Sequence, residues 1–461
     1  MRVSALLVAV SLFAVSPVLA QTQAPPAAAT ASAPAEQLRA LFAASDEANL
    51  KRNPLSGLFR GDLRYAGQFG DYLSDAYIAA EREAAAADLA ALAAIDRAAL
   101  SAEDRISYDV FKWQRETDLA GLDPRLVDAG IVRPIDHFYG VHTYFPEINS
   151  GDGAAPFRTL KDYEDGLTRA AGFAFTMDVA IARFRQGMAS GVVQPKLVVK
   201  NVIDQLDALT AGGVEASLMM KPVAKFPEGI SAADQARLRT AYTKMVGEQV
   251  NPAMRRLRDF LANEYLPVAR DSVGLSAMPG GDALYAHLVR ATTTTNVSPA
   301  EIHEIGLAEV ARITKGMEDV KRRVGFKGDL KAFFEYLRTD PKFKFRTREE
   351  MGDAFRAVGK RVDLTVRNLF DTIPRSALEI RPVPAHREKT DAGGSYNQGT
   401  PDGSRPGIFY YNAYDLPSRS KPGTETLYLH EAVPGHHFQI SLAQENEALP
   451  AFMRFGGNTA Y

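Results

Sequence analysis

Three of the eight histidines of this chain lie within one octet, and a glutamate stands beside the first of them. The octet reads His-Glu-Ala-Val-Pro-Gly-His-His, which places Glu431 after His430 and ends on His436 and His437. Neutral imidazoles bind zinc, and a glutamate beside a zinc site can act as general base on water. The octet therefore predicts a zinc hydrolase with Glu431 as its catalytic residue.

The spacing of these histidines does not fit one regular helix. In the usual metalloprotease helix, two histidines four residues apart lie on one face. On a straight helix, His436 would lie about 9 Å and His437 about 10.5 Å along the axis from His430. Neither pair could then reach one zinc ion at about 2.0–2.1 Å. Metal binding thus requires a break in the helix.

Pro434 and Gly435 are expected to provide this break. Proline lacks the N–H that would bond to the carbonyl of His430, and glycine adds backbone freedom. We expect the break to bring His436 into the role of the second metal ligand, with His437 as the alternative. The competing interpretation is a helix end that carries surface histidines and no metal.

The elements that must position the octet are predicted to be mainly helical, with a small β region. Helical spacing of apolar residues recurs at 77–100, 157–186, 231–265 and 349–371. A capping box, Ser298-Pro299-Ala300-Glu301, predicts a further helix to about residue 324. A short strand is predicted at 407–412, in a turn-rich stretch before the octet. A strand beside a metal-bearing helix could pair with an extended peptide.

Four polar residues in this β region are candidates for substrate binding. Tyr396, Tyr410 and Asn412 could hydrogen-bond a peptide backbone or an oxyanion, although aromatic residues also favour strands for packing reasons alone. Arg405 could hold a substrate carboxylate with two hydrogen bonds, or could be an exposed turn residue. Outside this region, His137 and His142 lie among aromatic residues that suggest a cleft wall, and His386 is expected at the surface.

Composition excludes several classes of function. The chain has 461 residues, which is enough for a large core. Its net charge of −2 gives no basic field, so nucleic acid is not expected as a partner. It contains no cysteine, which excludes disulfides, cysteine-ligated metals and a lipid-attachment cysteine.

The N-terminus predicts export. Residues 1–20 resemble a secretory signal with Arg2 as its positive start, an apolar run, and cleavage after Ala20. That run is too short to span a bilayer, so no stable membrane anchor is expected. Residues 21–36 are predicted to be a disordered linker, and 37–461 one metallopeptidase-like domain. The expected location is the periplasm or the medium.

Residues 429–439, Leu-His-Glu-Ala-Val-Pro-Gly-His-His-Phe-Gln, closely resemble the signature of a bacterial family known as domain of unknown function 885. Segments 296–310 and 403–412 also resemble the family, which is grouped with the zincin (gluzincin-like) metallopeptidases. The resemblance implies a zincin-type fold with a helical substrate cleft. It also implies zinc on His430 and His436, with Glu431 as general base.

The resemblance further implies a third zinc ligand, a glutamate well beyond the second histidine. This chain offers only Glu445 and Glu447 there, and both fall too early. We therefore expect the third ligand to lie beyond Tyr461. On this interpretation the chain is a fragment without its C-terminal part, and is inactive by itself.

The function expected from these features is that of an exported zinc-dependent hydrolase that cleaves peptide bonds by means of a metal-activated water. Its substrate would be a peptide or a small amide. Two alternatives remain open at this point. One is a metal-dependent amidase or esterase that acts on non-peptide substrates, and the other is an exported peptide-binding protein without catalysis. The sequence does not indicate an oligomeric state.

Overall fold

The computed structural model describes residues 33–138 and 140–456. The expected signal peptide at 1–20 and residues 21–32 of the expected linker lie outside these residues. The first helix, α1, is Ala33–Arg52. Residues 33–36 are therefore helical, which corrects the predicted end of the linker.

Helices make up most of the described chain, as predicted. In chain order they are α1 Ala33–Arg52, α2 Leu55–Arg60, α3 Asp75–Ala93, α4 Ala102–Gly121, α5 Pro124–Gly130, α6 Val141–Ile148, α7 Leu160–Ser190, α8 Lys196–Thr210, α9 Lys221–Ala224, α10 Ala232–Met245, α11 Asn251–Phe260, α12 Gly281–Thr293, α13 Pro299–Arg323, α14 Leu330–Thr339, α15 Arg348–Asp363, α16 Thr424–Glu431, α17 His436–Glu445 and α18 Ala451–Phe455. Nowhere in the described part of the chain is a helix long and apolar enough to cross a bilayer.

Side-chain caps set several helix starts. Ser298 accepts a hydrogen bond from the backbone N–H of Glu301, whose carboxylate bonds back to Ser298, so the predicted capping box of α13 is confirmed. The segment 231–265, predicted to be helical, contains two π-helical turns, Val246–Val250 and Leu261–Tyr265. The first precedes Pro252, which has no N–H to donate, so the hydrogen-bond pattern must change there.

The largest hydrophobic core lies among α7, α8, α10 and α11. Phe173, Met177, Leu206, Tyr242 and Leu257 are all fully buried in it. We call this region the helical body. Removing such large apolar side chains from water is the dominant favourable contribution to folding. The helical body therefore supplies most of the buried apolar core, and some of its residues line the cavity described below.

A second, smaller core surrounds a three-stranded sheet. The strands are β1 Leu378–Pro382, β2 Gly394–Asn397 and β3 Gly407–Tyr411, in the order β1-β3-β2. The central strand β3 is buried along its whole length and confirms the strand predicted at 407–412. It runs parallel to β1 and antiparallel to β2, which is an edge strand. Phe409 of β3 packs with Phe355 of α15 and Tyr428 of α16.

Candidate metal centre

The octet spans the end of one helix and the start of the next. Helix α16 ends at Glu431 and helix α17 begins at His436, with Ala432, Val433, Pro434 and Gly435 between them outside any helix. The break predicted at Pro434 and Gly435 is confirmed. It is a complete interruption of the helix.

This turn requires glycine at position 435 because there is no space for a Cβ atom. A Cβ atom at this position would lie 1.8 Å from the carbonyl oxygen of His430 and 2.4 Å from that of Leu429. The φ angle of Gly435 is −77°, a value open to any residue, so close approach and not backbone conformation requires glycine. The chain can therefore fold back over the end of α16, which brings α17 next to it.

The fold-back brings three potential ligands together. One donor atom each from His430, Glu431 and His436 lies within 4.8 Å of the others. The ring centroids of His430 and His436 are 4.7 Å apart, and Nε2 of His436 is 3.9 Å from Oε2 of Glu431. Within residues 33–138 and 140–456 this is the one group of its kind.

The chemistry of this group fits zinc. Four donors at about 2.0–2.1 Å in a tetrahedral arrangement lie roughly 3.4 Å from one another. Small side-chain rotations would therefore bring the imidazoles of His430 and His436 to one ion. Two imidazoles and a carboxylate are also the donor types that zinc prefers in hydrolytic sites.

Burial sets the protonation of the group. Glu431 is 6 % exposed, and this burial raises the pKa of its carboxyl group, while the nearby His430 opposes the rise. Burial, followed by the charge of His430, lowers the pKa of His436. His436 is thus held in the neutral form that can bind a metal, and Glu431 is a stronger base than an exposed glutamate.

His437, the alternative ligand, points elsewhere. Successive residues of a helix lie about 100° apart around its axis, so His437 leaves the side of α17 from which His436 meets His430. It is 4 % exposed, and its Nδ1 lies 3.0 Å from the hydroxyl of Tyr396. Burial lowers the pKa of His437 to about 4. It is not part of the converging group.

A cavity of about 1240 Å³ opens beside the group. Glu431 and His436 lie in its wall together with all of strand β2, and the helical body and the loop after α5 form the opposite side. His137 lines that side, as expected for a cleft wall. His142 instead lies in the interior, where its Nε2 is 2.9 Å from the side-chain oxygen of Gln205.

Three of the four proposed substrate contacts line this cavity. Tyr396 and Tyr410 present their largely buried side chains to it. Arg405 also lines it, but its guanidinium donates to the backbone carbonyls of Gln398 (2.7 Å) and Phe59 (3.0 Å), so it is not the exposed turn residue of the alternative interpretation.

Asn412 does not reach the cavity. It is fully buried, and its side-chain amide donates to the carbonyls of Glu388 (2.7 Å) and Asp391 (3.2 Å). Its side-chain oxygen accepts from the N–H of Tyr414. Since the NH₂ group of this amide holds the loop after β1 and its oxygen holds the turn after β3, the predicted substrate contact of Asn412 is wrong.

A half-buried charged cluster in the cavity wall was not predicted. Arg387 donates to Asp391 and lies 3.4 Å from the carboxylate of Glu147, whose pKa is raised by burial. The neighbouring His386 was expected at the surface, but it is half-buried and lines the cavity. The residues come from α6 and from the loop after β1, so no local sequence pattern could have brought them together.

The carboxylate of Glu445 is also hydrogen-bonded outside the metal group. It lies in the last turn of α17, where it accepts hydrogen bonds from the backbone N–H groups of Arg375 (2.8 Å) and Ser376 (3.0 Å). It therefore anchors the segment before β1. This agrees with the expectation that it is too early in the chain to serve as the third ligand.

Residues 54–461 match the profile of a family described as bacterial protein of unknown function, DUF885. The chain belongs to the DUF885 family. A comparison with the curated proteins finds no match.

Two solved structures share the fold of this DUF885 protein. One is the crystal structure of a proposed lipoprotein from Colwellia psychrerythraea, with a TM-score of 0.79 and 23 % identity over 92 % of this chain and 75 % of that one. The other is a proposed lipoprotein of unknown function from Shewanella oneidensis, with a TM-score of 0.57 and 16 % identity over 91 % and 74 %. At these identities, the likeness concerns the fold alone.

Proposed function

We propose that this DUF885 protein is an exported, zinc-dependent hydrolase of the zincin type that cleaves peptide bonds, with Glu431 as general base. The observation that carries the proposal is the convergence of His430, Glu431 and His436 on the wall of the large cavity. Ligand pockets commonly combine such concave shape with a few convergent polar groups of shifted pKa.

His430 and His436 would hold the metal. Zinc bound there would polarise a substrate carbonyl and lower the pKa of water. Both histidines approach from helix termini that the break has brought together. The neutral state of His436 favours binding, because only the unprotonated imidazole donates to a metal.

Glu431 would move the proton. Its carboxylate is next to the metal-binding imidazoles and faces the cavity, where a water molecule can reach it. In the proposed reaction it removes a proton from the attacking water and passes that proton to the nitrogen of the leaving amine. The raised pKa of Glu431 helps the first step, since a stronger base accepts the proton more readily.

The cavity is suited to a peptide. Its volume of about 1240 Å³ exceeds the range of roughly 300–1000 Å³ that is typical of sites for drug-sized ligands. Strand β2 lies at the edge of the sheet, so its outer side can hydrogen-bond an extended backbone. Export is supported by the signal-like residues 1–20 and by the naming of both structural neighbours as proposed lipoproteins.

The test uses the full-length protein, purified and analysed for bound metal, and then incubated with a mixed peptide library. We expect about one zinc per chain and cleavage that a chelator abolishes. Glu431→Gln should retain zinc and lose about 10³-fold in kcat/KM, as expected for the loss of a general base.

The matched control is Glu425→Gln, in the same helix, because Glu425 forms an exposed ion pair with Arg361. This variant should cleave like the wild type. Peptide cleavage that survives Glu431→Gln would show the proposed mechanism to be wrong. Turnover of esters or simple amides, but of no peptide, would favour the amidase or esterase alternative.

A further inference from the structure

His437 makes a specific set of contacts although it is not in the metal group. Its Nδ1 lies 3.0 Å from the hydroxyl of Tyr396 on edge strand β2. The ring also bonds to the backbone of Ser376, the residue whose N–H is held by Glu445. A buried histidine that is hydrogen-bonded through a ring nitrogen is restricted in its orientation.

The hydroxyl of Tyr396 is hydrogen-bonded to helix α17. Its hydrogen bond is to His437, and the side chain of Ser441 and the backbone of Gly399 lie close enough to affect its pKa. His437 and Ser441 are four residues apart in α17, so they lie on the same face of that helix. The hydroxyl group is thus directed to α17, while Tyr396 also lines the cavity.

The same tyrosine also contacts the proposed ligand. The ring of Tyr396 is nearly parallel to that of His436, at 10°, with 6.5 Å between centroids. Gly407 of strand β3 leaves room for the arrangement. A Cβ there would lie 2.3 Å from the hydroxyl oxygen of Tyr396 and 2.7 Å from Nδ1 of His437.

We infer that His437 is a positioning residue, which together with Ser441 anchors Tyr396 and thereby fixes edge strand β2 to helix α17 beside the ring of His436. The part of this inference that concerns metal binding rests on the proposed function. Partners outside the ligand shell commonly change metal affinity 10- to 100-fold when they are removed. Here the partner would also fix the strand that borders the cavity.

The first measurement is hydrogen–deuterium exchange of residues 394–397 in the full-length protein, which does not depend on a metal. Tyr396→Phe keeps the ring and removes the anchored hydroxyl, and should speed exchange of β2 about tenfold because local opening becomes easier. The control is Tyr411→Phe in the neighbouring strand, whose hydroxyl is 3.5 Å from the carbonyl of Arg348. Equal exchange in both variants would overturn the inference.

The second measurement is a titration with Co²⁺ alone, followed by its visible spectrum. Tyr396→Phe should bind Co²⁺ 10- to 100-fold more weakly with an unchanged spectral shape. His437→Ala should lose the protection of β2 against hydrogen exchange. His437→Gln keeps a hydrogen-bond donor and an acceptor, so it should retain most of that protection and an unchanged Co²⁺ spectrum.

The outcomes separate the two proposals. A spectrum in which His437→Gln has lost a nitrogen ligand would make His437 itself a metal ligand and overturn the positioning role. A wild-type protein that binds no Co²⁺ would contradict the proposed function, while the exchange of β2 in Tyr396→Phe still decides whether His437 anchors the strand.

Discussion

The helical body and the α16–α17 junction both bury charged or titratable groups, but these groups differ in their hydrogen bonding. In the helical body, Arg169 is 1 % exposed, and its guanidinium donates to the side chain of Asn149 (2.8 Å) and to the carbonyl of Ala66. At the junction, Glu431 is 6 % exposed, and the nearest imidazole nitrogen of His436 is 3.9 Å from it, beyond hydrogen-bond distance.

This difference distinguishes structural from functional burial. A buried charge whose hydrogen bonds are satisfied stabilises one arrangement, and removing its partner is costly. A carboxylate buried beside imidazoles has a pKa that burial raises, and it can accept a proton. Four substitutions should separate the two kinds of burial.

The largest effect is expected in the helical body. Arg169→Met would leave the oxygen atoms of Asn149 and Ala66 buried without their donor, and should lower the free energy of unfolding by about 4 kcal/mol. Urea unfolding would measure the loss. Arg237→Met is the control, since Arg237 forms an exposed ion pair with Glu164 and should cost under about 1 kcal/mol. Similar losses in both variants would contradict a structural role for Arg169.

His142 should make the stability of the helical body depend on pH. Burial lowers its pKa to about 4 in the folded protein, below the ordinary value of 6.5. Between pH 6.5 and 4 the unfolded chain binds a proton that the folded chain does not, so stability falls as the pH falls through this window. The expected loss is about 3 kcal/mol.

Unfolding measured across this window in wild type and His142→Gln tests the prediction, because the variant should lose most of that slope. His303→Gln, at an exposed position of α13, should keep it. An unchanged slope in His142→Gln would assign the pH dependence to other groups.

At the junction, Gly435→Ala should destabilise the protein by about 2 kcal/mol, as overpacking commonly does. The added Cβ would overlap the carbonyl oxygen of His430 at 1.8 Å, so α16 and α17 must move apart. Metal binding should weaken as well, since the two proposed ligands lie on these helices. Gly423→Ala is the control, because no heavy atom lies within 4 Å of its added Cβ. Equal metal affinity in the two variants would contradict the fit of His430 and His436 to one ion.

The smallest effect on stability is expected for Glu431. Its pKa is raised in the folded protein, so its ionised form is less favourable folded than unfolded, and its contribution to stability falls as the pH rises above the unfolded pKa. In chelator-treated protein, Glu431→Gln should therefore unfold at slightly higher urea at neutral pH, with a gain under about 1 kcal/mol. A large loss of stability would show that Glu431, like Arg169, has a structural role.

The sequence predicts the locally determined parts of this molecule well. The capping box at Ser298 and the strand at 407–412 depend on adjacent residues, and both are confirmed. The break in the octet follows from the covalent limits of Pro434 and Gly435. These features need no information from distant parts of the chain.

The wall of the cavity could not be predicted in this way. Glu147 and Arg387 are far apart in sequence, and they meet only because the loop after β1 packs on the helical body. The direction in which the side chain of Asn412 points depends on the carbonyls of Glu388 and Asp391. The choice between His436 and His437 likewise depends on the direction in which α17 leaves the break, which is set by packing.

The break between α16 and α17 places the two proposed metal ligands on separate helices, so the site exists only when both helices are docked. An ion that binds the docked state and not the unfolded chain shifts the folding equilibrium by mass action. At a free zinc concentration of one hundred times its Kd, this shift amounts to about 2.7 kcal/mol. Under the proposed function, the zinc concentration in the compartment to which the protein is exported would therefore govern the folded fraction of the protein as well as the active fraction.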